Sequence, residues 1–153
     1  MLNFKNLFAG IFFSLILFCN FSASASDYDE ERQVFELVNQ ARSEHGLPPF
    51  SWNRNSNLQR AAEIRAREIA EYFSHNRTDG SSYMTALNQC GVNYTECGEN
   101  IAVGFNLAGR FVFARWMNSQ NQSDVILSPI FRETAIASFR SDMDVYWVQL
   151  FIR

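Results

Sequence analysis

Residues 134–152 read TAIASFRSDMDVYWVQLFI, and their period decides the fold. Residues 134–140 and 145–152 are rich in β-branched and aromatic side chains. The polar run Ser141-Asp142-Met143-Asp144 between them predicts a hairpin. Side chains alternate across a strand, so Tyr146, Val148 and Leu150 share one face, and Trp147, Gln149 and Phe151 the other. Large apolar groups on both faces predict a hairpin covered on both sides.

Upstream of this hairpin the period is mostly helical. Val34, Phe35, Val38, Ala41 and Arg42 form one stripe. The acidic segment 27–31 before it complements the positive end of a helix. Gly46 stops this helix, and Pro48-Pro49 forbid its continuation. Trp52, in the loop that follows, is expected to plug the core. A second helix starts near Ser56 or Asn57, both good caps, and runs to about Phe73. Its apolar side is Leu58, Ala61, Ala62, Ile64, Ala66, Ile69 and Ala70, small enough for close packing. A short helix is expected at 83–89, a brief strand at 100–103, and a helix at 107–119 with Trp116 buried. A last helical turn is expected at 124–127, closed by Pro129. Helices early and a hairpin late predict an α+β domain with the sheet between helical layers.

The amino terminus predicts export. Lys5 is followed by an uncharged apolar run at 7–18 and then by Ala23-Ser24-Ala25, a small-x-small pattern; this reads as a signal peptide, residues 1–25, cut after Ala25. A spanning helix needs about 18–20 apolar residues, and Asn20 and Ser22 interrupt this run too early, so no stable membrane insertion is expected after cleavage. Cys19 follows bulky Phe18, which disfavours lipidation there. Residues 26–153 then form one domain, secreted into the extracellular or periplasmic space. Loss of Lys5 takes the net charge from −3 to −4. That balance argues against nucleic acid or an anionic membrane as partner.

Two of the three cysteines remain after cleavage, Cys90 and Cys97. A pair this close in an oxidising compartment reads as a disulfide. Two free thiols or metal ligands are the alternatives, the latter disfavoured because only His45 and His75 are on hand to complete a site. His45, near the end of the first helix, reads as a solvated cap.

Several short stretches carry a resemblance. Leu37-Val38-Asn39 with Arg42, Gly46-Leu47 and Trp52 come first. Ser74-His75 with Arg77 and Gly80, then Gly98-Glu99-Asn100-Ile101-Ala102, then Trp116-Met117-Asn118-Ser119 follow, and Tyr146-Trp147 with Gln149 and Phe151 close the series. In this order, and across nearly the whole domain, they resemble the bacterial form of the CAP superfamily (SCP-like; cysteine-rich secretory, antigen 5 and pathogenesis-related-1 proteins). The resemblance implies a three-layer α-β-α sandwich with a cleft lined by two histidines and two glutamates. His75 matches the first histidine and Glu99 the first glutamate. Gln122 stands at the place of the second histidine, and Glu133 aligns with a later glutamate. Ala135-Ile136-Ala137 replaces the Gly-Val-Gly of many relatives.

Some members of that family bind a divalent metal through the histidines. With Gln122 in place of the second, no stable metal site and no cofactor is expected here. His75 and Glu99 could form an imidazole–carboxylate pair able to move protons, yet no serine or cysteine nucleophile is evident. The expected function is therefore a non-catalytic binding module whose partner is a protein or a small apolar ligand. A peptidase-like hydrolase using His75 and Glu99 is the first alternative. A lipid or sterol carrier is the second, since the family binds such molecules elsewhere.

Overall fold

The computed structural model describes residues 23–153. The predicted leader lies outside them, except that its last three residues begin the first helix. Helices α1 (Ala23–Glu44), α2 (Asn57–Glu71) and α3 (Met84–Gln89) precede strand β1 (Cys97–Phe105). Helices α4 (Gly109–Met117) and α5 (Gln120–Ile126) then lead to β2 (Glu133–Ser141) and β3 (Asp144–Ile152). The predicted hairpin is β2–β3, and β1 joins its other side, so the antiparallel order is β1-β3-β2.

The central position of β3 explains why its sequence is apolar on both faces. On one face, Val148, Leu150 and Ile152 pack with Leu58, Ala62 and Ile69 of α2 and Leu87 of α3. On the other, Trp147 and Phe151 pack with Val34 and Val38 of α1, Val112 and Trp116 of α4, and Ile126 of α5. This is the three-layer α-β-α sandwich of an α+β domain. Trp116 is fully buried, and Trp52 bridges both clusters while donating its indole N–H to Gln59 Oε1 at 2.8 Å.

Local signals place the boundaries. Gly46 takes φ +69° after α1, a conformation that costs glycine little. His45 caps the same end, its Nδ1 2.7 Å from the Ala41 carbonyl. Ser56 caps α2, accepting from Gln59 N–H at 3.1 Å. The hairpin turns on Asp142 and Met143, with Asp142 at φ +51°, which aspartate tolerates.

Two details differ from the sequence expectation. Strand β1 is nine residues long rather than confined to 100–103, because polar Glu99 and Asn100 are accommodated by partners outside the strand. Helix α5 starts at Gln120; its first turn is polar, so no apolar period announces it. Cys90 and Cys97 are not bridged in this structure. Cys90 ends α3 inside the core, whereas the ladder sets Cys97 opposite Ile152 with its sulfur 3.6 Å from the Tyr83 hydroxyl. Backbone hydrogen bonds from Val92 to Leu87 and from Thr95 to Arg153 close the intervening loop. Burial raises the Cys97 thiol pKa above its ordinary value.

Candidate functional site: a cleft along the edge of β1

Arg65 lies on the apolar stripe of α2, and its guanidinium is carried wholly into the interior. Strand alternation turns Glu99 of β1 to the same side. Arg65 Nε donates to Glu99 Oε2 at 2.9 Å and Nη2 to Oε1 at 3.3 Å, with both side chains fully buried. Arg65 also donates to the Ser74 carbonyl and to Glu68 Oε2, each at 2.7 Å. Glu68 takes the guanidinium fork of Arg77, which continues to Thr85 and Gln89. A chain of alternating charge thus pins the segment between α2 and α3, with Gly80 at φ +84° in its turn.

That segment carries His75. Its Nδ1 is 2.9 Å from Glu99 Oε1, while its side chain remains 59% exposed. With Nδ1 engaged, Nε2 is the nitrogen left for solvent or a ligand. Desolvation works against the Arg65 cation, but hydrogen bonds and charge from Glu99 and Glu68 outweigh it, so its pKa is raised. Desolvation likewise opposes the Glu68 anion, and the forks of Arg77 and Arg65 overcome it, so its pKa is lowered. Burial pushes the Tyr83 hydroxyl up.

The opposite wall comes from α4 and α5. Gln122 Nε2 donates to the Ile101 carbonyl at 2.9 Å, and Asn100 Nδ2 donates back to the Gln122 carbonyl at 3.0 Å. Trp116 Nε1 reaches the same Ile101 oxygen at 3.3 Å, and Arg115 Nη1 donates to the Val103 carbonyl at 2.7 Å. Between the walls lies an open cleft of about 500 Å³, floored by Ile101 and Ala102, with Phe73, His75, Arg115, Ser119 and Gln122 around it.

Residues 35–151 match the model of the cysteine-rich secretory protein family, CAP. The chain belongs to this family. It is 31% identical over 133 residues to YkwD of Bacillus subtilis, which is 86% of this chain and 50% of that protein, so it spans half of that relative's length. An extracellular protein containing an SCP domain from Bacillus anthracis superposes with TM-score 0.74 at 26% identity, covering 83% of this chain and 41% of that one. An outer surface protein of Borrelia burgdorferi shares the fold alone, with TM-score 0.69, 17% identity, and coverage of 82% and 92%. The Bacillus anthracis protein is described as extracellular and the Borrelia burgdorferi protein as an outer surface protein. Among the described residues, no helix is long and apolar enough to cross a membrane.

Within this CAP domain, His75, Glu99 and Gln122 come together, with Glu99 behind His75 rather than lining the cleft. Glu133 does not join them: it opens β2, the far edge strand, opposite Ile152 and across the sheet from β1. The donor set does not fit a divalent metal. His75 is a single imidazole, Gln122 spends its amide N–H on a backbone carbonyl, and Glu99 is occupied by Arg65 and His75. Among the described residues no three His, Cys, Asp or Glu side chains converge. Nor is any hydroxyl or thiol among them hydrogen-bonded to His75. Sequence reasoning missed Arg65 and Glu68. The signal was present: Arg65 falls on the stripe Leu58-Ala62-Ala66-Ile69, and a charge there has to find a buried partner.

Proposed function

We propose that this chain is an exported CAP-domain protein acting as a non-catalytic binding module, its ligand seated in the cleft beside β1. Export is supported by the leader pattern of residues 1–25 and by the extracellular description of its relatives. One observation carries the binding reading: Glu99 is bracketed between Arg65 and His75. A carboxylate so shared fixes the orientation of the imidazole, and among the described residues no hydroxyl or thiol is hydrogen-bonded to the ring as a nucleophile would be. The open, mixed lining also disfavours the lipid-carrier alternative, which needs an enclosed apolar pocket.

The hydrolase alternative draws on the exposed ring of His75 with its Nδ1 held by a carboxylate, an arrangement that serves proton transfer. Assays on peptide and ester substrates separate the two. The binding module shows no turnover above background, and His75→Ala loses ligand affinity with little change in melting temperature. Hydrolysis that His75→Ala abolishes, in preparations free of contaminating protease, establishes the alternative instead.

A further inference from the structure

We propose that the cleft reads a free carboxylate, that of a peptide C-terminus, through Arg115 and the outward N–H groups of β1, with the terminal apolar side chain against Phe73. The proposal rests on the reading of this cleft as a binding site and names the ligand class.

Charge is the first argument. The chain carries a net −3, yet the cleft wall from α4 presents Arg115, which forms no salt bridge with any described residue. Its Nη1 is held by the Val103 carbonyl, which orders the guanidinium and leaves its other N–H groups to a ligand. The nearby negative charge is cancelled, because Glu99 is buried against Arg65. A cation in a cleft whose walls carry no exposed carboxylate selects an anion, and guanidinium matches carboxylate geometry.

The strand edge is the second argument. In an antiparallel ladder the N–H and C=O of one residue point to the same side. The carbonyls of Ile101 and Val103 accept from Trp116, Gln122 and Arg115, so they face away from β3. Their N–H groups face outward with them. The edge is thus stripped of acceptors and keeps its donors. A running peptide strand needs both to pair with β1, whereas a chain end with two acceptor oxygens needs only donors. Phe73, half exposed, and the floor of Ile101 and Ala102 supply apolar surface beside the anion site.

The test is an NMR titration of the 15N-labelled protein with N-acetyl-Ala-Leu as free acid and as amide. The acid should shift the amides of Ile101, Ala102, Val103 and Ser119, and the amide should bind at least about tenfold more weakly. Arg115→Gln should bring the acid down to the level of the amide at unchanged melting temperature, and Arg115→Lys should recover part of the loss. Acid and amide binding alike at the cleft overturns carboxylate reading while leaving a binding module. Shifts absent from the cleft for both peptides, or an Arg115→Gln variant that binds the acid normally, overturn it as well. Glucuronate binding as tightly as the peptide acid overturns the peptide assignment. Cleavage of the dipeptide, seen as new resonances, defeats the non-catalytic reading but not recognition of the carboxylate.

Discussion

Arg65 sits where the period of α2 leads one to expect an aliphatic side chain, and the cost of that placement is met by geometry. It is fully buried, with Glu99, Glu68 and the Ser74 carbonyl around it. Removing one member of a buried pair strands the other, which costs about 3–5 kcal/mol. Arg65→Met should therefore lose stability in that range by urea unfolding, and Arg65→Met with Glu99→Gln should recover part of it. A loss under about 1 kcal/mol would mean that the pair is solvated after all. His75 and Glu99 were legible because their surroundings resemble a family pattern. Arg65 was not, because a periodicity reading takes a lone charge on an apolar stripe as noise.

Helices α1 and α4 meet at Gly109, which the helical period alone marks only as a weak residue. A Cβ there would stand 2.6 Å from the Glu30 carbonyl oxygen and 3.0 Å from Val34 Cγ2. Glu30 also accepts the Gly109 N–H through its carboxylate, at the first turn of α4. Glycine to alanine inside a helix ordinarily gains up to about 1 kcal/mol. Here the clash is with backbone and should win, so Gly109→Ala should cost about 1–3 kcal/mol. A variant melting at or above the parent temperature would show that α1 shifts freely on α4. Nothing local announces this contact; it joins residues 79 positions apart.

Two carboxylates, Glu31 between α1 and β2 and Glu68 of α2, respond to pH in opposite directions. Glu31 of α1 accepts from Ser138 N–H at 2.8 Å and pairs with Arg54, yet desolvation dominates and raises its pKa. Its contribution is full below the ordinary carboxylate value and is lost as pH rises through the raised folded value. Glu68 has a lowered pKa, so its contribution is full above the ordinary value and is lost as pH falls through the depressed one. In urea unfolding between about pH 3 and about pH 7, the stability lost in Glu31→Gln should shrink as pH rises, and that lost in Glu68→Gln should grow. Parallel slopes would refute one of the two assignments.

The amino-acid order by itself determined the α+β class, the two-faced hairpin, the stop of α1 at Gly46, the start of α2 at Ser56, and the candidates His75 and Glu99. Each of these rests on interactions within a few residues or on a strict period. Only the tertiary structure decided that β1 runs nine residues and that Glu133 lies on the far edge strand. It also revealed that Arg65 compensates Glu99, and that Gln122 and Arg115 donate to the Ile101 and Val103 carbonyls of β1. Those outcomes depend on which polar group finds which partner across the sheet. Desolvation settles that choice only when the layers close on one another.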